Sequence, residues 1–363
     1  MKTNSTKYVR PNIARMAGYT PGEQPRERTY VKLNTNENPY PPSPQVGKAL
    51  SEFDVTKLRL YPDPLACEFR EEIANQQGLD ESWVICGNGS DDLLTIAVRT
   101  FVNQGAGIAY PQPSYSLYPV LGEIQGATLT KIDLDEEFNL PADATEQADG
   151  TALFFIARPN APTGKACPLD IVRNIATDYE GILFIDEAYA DFAEDDCINL
   201  VKEFDNIVVS RSLSKSYSLA GIRFGYALAQ PALINEMFKV KDSYNVNALS
   251  QTLALAAVRD QVTFRKNHNR VCKTRSRIRA CLEELGFDTL PSQTNFLFTK
   301  PPIDAPHYVR QLREAGILIR YFPGPRTGNY VRITVGTDEE MDLLIEATRN
   351  ILQKSNATSQ IHG

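Results

Sequence analysis

The chain has 363 residues and a formal net charge of −7, from 38 basic and 45 acidic side chains. That length suits one large or two medium domains, and the acidic balance offers no global basic field to nucleic acid or a membrane surface. An apolar content of 42% is that of a globular protein, and the longest apolar runs, such as ALFFIA, are too short to cross a bilayer.

The six cysteines include no C-x-x-C pair, and His268, His307 and His362 form no ligand pattern. A reduced, cytoplasmic protein without a His-based metal site is expected. Residues 1–35 are polar and broken by proline, and YTPGEQP predicts an extended arm. NENPYPPSP follows as a turn-rich connector. SDDLLTIAVRTFV predicts a helix with Ser90 as its cap and two aspartates in the first turn. The runs GIAYP, TALFFIAR, GILFID and NIVVSRS are short, apolar on both faces and separated by helix-like stretches. Such strands imply a mostly parallel sheet sandwiched by helices, spanning residues 36–250. From residue 251 the texture changes. A long basic helix, RKNHNRVCKTRSRIRACLEEL, precedes strands NFLFT, ILIRYF and NYVRITV and further helices. Residues 251–363 therefore read as a smaller α+β domain, with the last helix ending near Lys354 and a disordered tail. The basic helix is expected to be a solvated face rather than a nucleic-acid surface.

Three consecutive apolar runs end in polar groups. TALFFIARPNAPTG delivers Asn160, GILFIDEAYADF delivers Asp186 and Tyr189, and NIVVSRSLSK delivers Lys215. In open parallel sheets, ligands bind beyond the carboxyl ends of the strands. An amine, a carboxylate, a phenol, an amide and a loop of serines with Arg223 together suit an aldehyde cofactor that carries a phosphate. The lysine forms a Schiff base, the carboxylate pairs with a ring nitrogen, and the hydroxyls and arginine hold the phosphate. The turn GNGSDD, opening a helix, adds free backbone N–H groups and a positive dipole end. Asp91 and Asp92 would repel a dianion unless their side chains turn away.

The run Asn160–Ala161–Pro162–Thr163–Gly164, Asp186-x-x-Tyr189, and Ser212-x-Ser214–Lys215 with Arg223 resembles the class I and II aminotransferases of the fold type I pyridoxal-phosphate enzymes. LNTNENPYPPSP, LRLYPDP, GNGSDD, KDSYNVN and VRITVG are similar to the branch of that family that works on histidinol phosphate, over nearly the whole chain. Ala161 departs from relatives that carry a second asparagine there, and Ser218 from a common glycine.

The resemblance implies pyridoxal 5'-phosphate as cofactor, and a role for each matching residue. Lys215 anchors the cofactor and then shuttles a proton, and Asp186 pairs with the ring nitrogen. Tyr189 and Asn160 meet the ring oxygen, and Tyr115 stacks on the ring. Ser212, Ser214, Arg223 and the backbone at Ser90 and Asp91 hold the phosphate. Arg332 takes a substrate carboxylate or phosphate, helped by Arg320 and Tyr19 on the phosphate side. Tyr61 reaches across a homodimer to the partner's cofactor phosphate, so that active sites are shared. The implied reaction exchanges histidinol phosphate and 2-oxoglutarate for imidazole-acetol phosphate and glutamate, in histidine biosynthesis. An aromatic amino-acid aminotransferase and a decarboxylase of a phosphorylated amino acid remain as rivals, because the cofactor motifs serve all three. A non-catalytic regulator would need a DNA-binding module for which 35 residues leave no room. A nicotinamide-binding fold is disfavoured, since GNGSDD lacks the third glycine.

Overall fold

The computed structural model describes residues 5–25 and 30–361. Its strands, in chain order, are β1 (Val31–Leu33), β2 (Val84–Gly87), β3 (Gly107–Gln112), β4 (Thr128–Asp133), β5 (Thr151–Ala157), β6 (Ile182–Asp186), β7 (Ile207–Ser212), β8 (Gly225–Ala229), β9 (Asp288–Thr289), β10 (Phe296–Lys300), β11 (Ile317–Tyr321) and β12 (Val331–Thr334). They form a seven-stranded sheet of order β2-β8-β7-β6-β5-β3-β4 and a five-stranded sheet of order β1-β11-β12-β10-β9. In the larger sheet only β8 runs against its neighbours β2 and β7, and the remaining ladders are parallel. This is the fold type I arrangement, an α/β sheet covered by helices on both faces.

The period-2 geometry of strands explains why these runs show no polar alternation. Along β5, Phe154 and Ile156 enter one apolar cluster while Leu153 and Phe155 enter the cluster on the other face. Strands β6 and β7 split the same way, Leu183, Ile185, Ile207 and Val209 to one side and Phe184 and Val208 to the other. Each of these buried side chains contributes roughly 1.5–3 kcal/mol of transfer free energy. The parallel register sets Ala157 beside Asp186 and Asp186 beside Ser210, so the polar residues that follow all emerge at one edge.

In the smaller sheet the same alternation sends Leu33, Ile317, Ile319, Val331 and Ile333 into a separate core under flanking helices. Arg320, Arg332 and Thr334 occupy the alternate positions, on the other face. Strand β1 is an unexpected member. It comes from the segment read as an extended arm, yet pairs in parallel with β11, Val31 beside Ile317.

Three other expectations are corrected. Ser90 is the first residue of the helix Ser90–Phe101 rather than its cap, which is Gly89, and no side chain caps that end. The last helix runs Asp338–Ile361, well past Lys354, so the expected disordered tail is helical to that point, and residues 362–363 lie outside the described residues. The arm also begins with short helical turns at Ser5–Tyr8 and Pro11–Arg15.

Candidate active site

A cleft of about 410 Å³ opens between the two sheets, lined from both sides. Its floor comes from the strand ends of the larger sheet, bringing together Asp186, Tyr189, Ser212, Ser214 and Lys215, with Ser90, Asp91, Tyr115 and Arg223 at one end. Its roof carries Arg320, Phe322 and Arg332, and Tyr19 closes one side.

Asp186 ends β6 and is 5% exposed. The Tyr118 hydroxyl donates to its Oδ2 at 2.9 Å and the Ala188 N–H to its Oδ1 at 3.2 Å. Burial pushes its pKa up to about 6, although those two donors pull the other way. Among the described residues no cation pairs with it, so it is a buried acid that still lacks a positive partner. Burying a charge in that state is costly, and a ligand cation would relieve the cost. Tyr118, which no strand-end pattern singles out, is fully buried and stacks on Phe155 with centroids 4.7 Å apart.

Lys215 follows β7 by three residues. Its Nζ donates to Thr35 O at 3.3 Å and sits 5.7 Å from the Tyr189 ring centroid. The Tyr189 hydroxyl accepts from Asn36 Nδ2 at 2.8 Å. Behind this pair lies a buried ion network. Arg211 reaches Glu187 Oε2 at 2.9 Å and Asp191 Oδ1 at 2.6 Å, and Ser216 donates to Asp191. The network ties the residue after Lys215 to the turn after Tyr189, which fixes the lysine's backbone relative to the phenol.

At the far end, Arg223 Nη1 donates to Ser214 Oγ at 3.3 Å, and Ser214 N donates to Ser212 Oγ at 3.2 Å. Gly89 has φ +85, and a Cβ there would stand 2.6 Å from Arg223 Nη2. A Cβ on Gly225 would meet Ser90 N at 2.7 Å. Only glycines let the helix start, β8 and Arg223 crowd together, which leaves the first N–H groups of the helix facing the cleft. Arg223 itself has φ +52 and Ser218 φ +61, left-handed conformations that are strained for side chains of their kind. The departure at Ser218 therefore falls where a positive φ favours glycine.

Asp92 turns away from the helix start, whereas Asp91 stays in the cleft lining and is neutralised there by Arg223. Asp92 Oδ2 accepts from Asn88 N and Asn245 Nδ2, both at 2.9 Å. Asp91 accepts from the Tyr115 hydroxyl at 3.0 Å and lies 3.3 Å from Arg223 Nη2. Tyr115 thus stands at the expected edge of the cleft, with burial and Asp91 holding its pKa well up. Asn160 sits just behind the wall. Its Nδ2 donates to Pro113 O and Thr163 Oγ1, both at 3.0 Å, and its Oδ1 accepts from Ser114 at 2.6 Å.

On the roof, Arg320 and Arg332 lie directly opposite on β11 and β12. Like charges paired across a ladder destabilise a sheet unless something anionic joins them. Arg332 Nη2 donates to Asn34 O at 3.1 Å, while its buried Nε has no partner among the described residues. Its ring neighbours are Phe296 and Phe322, each 5.2 Å away, and burial followed by Arg320 lowers its pKa. Among the described residues Arg320 donates to the carbonyls of Pro21 and Thr20, both at 3.4 Å, and lies 5.4 Å from the Phe322 ring. Tyr19, 41% exposed, meets Tyr115 edge to face at 5.8 Å.

Tyr61 is not part of this cleft. It is 80% exposed and stacks on Tyr244 with centroids 4.4 Å apart.

These residues fit pyridoxal 5'-phosphate. A buried acid without a cation among the described residues, a glycine-bounded helix start with Arg223, and a lysine line one cleft, a donor and acceptor set suited to its ring nitrogen, phosphate and aldehyde.

Residues 28–347 match the family described as aminotransferase class I and II. The histidinol-phosphate aminotransferase 1 of a Nostoc species is 45% identical over 350 residues, covering 96% of this chain and 99% of that one. The histidinol-phosphate aminotransferase of a Geobacter species is 43% identical over 345 residues, covering 94% and 98%. Among solved structures, the histidinol-phosphate aminotransferase of Sinorhizobium meliloti, in complex with pyridoxal-5'-phosphate, superposes with a TM-score of 0.86 at 24% identity, covering 96% of this chain and 99% of that one. The L-threonine-O-3-phosphate decarboxylase of Porphyromonas gingivalis superposes with 0.78 at 21% identity, covering 89% and 99%. Both likenesses speak to the fold alone.

Proposed function

The chain belongs to the class I and II aminotransferases, and from that premise we propose that it is the histidinol-phosphate transaminase of histidine biosynthesis. It moves an amino group between histidinol phosphate and 2-oxoglutarate, giving imidazole-acetol phosphate and glutamate. The observation that carries the substrate assignment is the Arg320–Arg332 pair, two guanidinium groups that line the cleft without an ion pair among the described residues, where both substrates must present an anion.

Pyridoxal phosphate, when bound, supplies an electron sink for the pair released at the substrate carbon. The residues do the rest. Lys215 Nζ is the covalent anchor and, once released, the base that carries the proton. Asp186 holds a positive charge at the ring nitrogen and is kept in place by Tyr118 and the Ala188 N–H. Tyr189 donates to the ring oxygen. Asn160 meets that oxygen only by exchanging one of its present partners. Tyr115 covers the ring. Ser212, Ser214, Arg223 and the N–H groups at Ser90 and Asp91 bind the phosphate. Arg332 accepts carboxylate or phosphate through its planar fork, with Arg320 and Tyr19 on the phosphate side. Residues 36–250 thus hold the cofactor, and residues 251–363, with a strand lent by the 1–35 arm, close the substrate end.

The proposed assembly is a cytoplasmic homodimer with shared sites. Its support is the exposed apolar stretch Val55, Leu58, Leu60 and Tyr61, none of which lines the cleft of its own chain. Refolding a mixture of Lys215→Ala and Tyr61→Ala chains, each inactive alone, should restore activity through one intact site per heterodimer. No recovery would place Tyr61 outside the partner's site.

A half-reaction panel tests the substrate reading. Cofactor-loaded protein is mixed with histidinol phosphate, glutamate, phenylalanine or threonine phosphate, and the cofactor spectrum is followed. Histidinol phosphate and glutamate should convert it fastest. Faster conversion by phenylalanine would make the protein an aromatic aminotransferase, and carbon dioxide release from threonine phosphate a decarboxylase.

A further inference from the structure

The stretch Asn34–Asn38 is neither helix nor strand, yet four of its five residues bond to residues given roles above, three of them to the side chain. Asn34 O accepts from Arg332 and Thr35 O from Lys215 Nζ, while Asn38 Nδ2 donates to Lys215 O at 2.9 Å. Asn36 meets Tyr189. We propose that Asn36 is a positioning residue that sets the direction of the Tyr189 hydroxyl hydrogen, and so the hydrogen bond this phenol offers the cofactor's ring oxygen. The inference rests on the function proposed above.

Asn36 is 1% exposed and has φ +57, a left-handed conformation that asparagine tolerates better than most residues. Three bonds, two from Thr334 of β12 and one from Asn295 just before β10, hold it there. Thr334 Oγ1 accepts the Asn36 N–H at 3.0 Å, and its own hydrogen goes to Asn36 Oδ1 at 3.0 Å. Asn295 Nδ2, fully buried, donates to Asn36 O at 3.0 Å. With Oδ1 serving as acceptor, the amide can present only Nδ2 to Tyr189.

A phenol whose oxygen accepts from one side must donate its hydrogen elsewhere. Among the described residues nothing else bonds the Tyr189 hydroxyl, and Tyr189 lines the cleft. Its hydrogen is therefore free for a ligand there. Thr334 lies two residues from Arg332 on the same face of β12, so the strand that meets the substrate anion also holds Asn36.

The test is a spectrophotometric pH titration of cofactor-loaded protein without substrate. A donor aimed at the ring oxygen withdraws charge from it, so losing that donor raises the titration midpoint. Tyr189→Phe should raise it by about one pH unit, the equivalent of one hydrogen bond. Asn36→Gly, which deletes the amide without backbone strain, should raise it by less. Asn36→Asp keeps the shape but accepts instead of donating, draws the hydrogen away, and should raise it more than Asn36→Gly. In a Tyr189→Phe background Asn36→Gly should add nothing. A midpoint indifferent to Asn36, or an equal shift in both backgrounds, overturns the inference and leaves the function standing. A wild-type protein with no cofactor band, and no borohydride-reducible label at Lys215, overturns both.

Discussion

On the seven-stranded side of the cleft, Asp186 is a buried carboxylate supported by a phenol and a backbone N–H. On the five-stranded side, Arg332 is a guanidinium with one carbonyl for its Nη2 and, among the described residues, no partner for its Nε. In the proposed reading the floor serves one permanent ligand, and its polar groups are already held by partners within the chain. The roof must accept two substrates in turn, so its cations are placed but left underpartnered. Preorganised groups contribute most where charge develops. Groups that bind either of two anions contribute to selection between them.

Substitutions on the two sides should therefore fail in different ways. Lys215→Ala should lose at least about 10⁴-fold in turnover for every substrate, since anchor and base go together. Borohydride labelling that persists on another lysine would break the assignment. Asp186→Ala should lose about 10²- to 10³-fold, again whatever the substrate, with Asp186→Glu milder. A near-normal rate would reduce Asp186 to a strand-end acid.

The same residue makes a stability prediction of opposite sign. Its folded pKa of about 6 lies above the ordinary 3.8, so folding takes up a proton between those values. Stability of the cofactor-free protein should fall as pH rises from about 4 to 6, by on the order of 3 kcal/mol from this group. Cofactor-free Asp186→Asn should then unfold at higher denaturant than the parent above pH 6, and the gap should close toward pH 4. A gap independent of pH would mean that the burial cost of Asp186 is met within the chain.

Effects at the roof should be smaller and depend on substrate. Arg332→Lys should cost about 10- to 100-fold in both half-reactions, because a point charge replaces a bidentate fork. Arg320→Ala should cost about tenfold with histidinol phosphate and less with glutamate. Equal losses would take Arg320 out of phosphate recognition and blur the distinction between floor and roof.

The amino-acid sequence alone determined the apolar strands β5, β6 and β7, the polar residues at their ends, and the glycine-opened helix at Ser90. Each is a local pattern. A run of β-branched and aromatic residues has few other ways to bury both faces, and an aspartate at its last position, or a lysine or asparagine three residues beyond it, stays near its end. It also carried Arg320 and Arg332 to neighbouring strands, since each sits in a short apolar run. Tertiary structure decided what depends on distant partners. Tyr118 carries no local signal of a role, and only the fold brings it to Asp186, 68 residues away. Asn36 reads as connector, and only its bonds to Thr334 and Asn295, 298 and 259 residues on, make it a fixed donor to Tyr189. Strand β1 is only three residues long, too short for an alternating pattern to be read, so its place beside β11 at the sheet edge came from the fold rather than its own pattern. Local propensity is set by neighbours along the chain, whereas the direction of a single hydrogen is set by atoms that only folding brings within 3 Å.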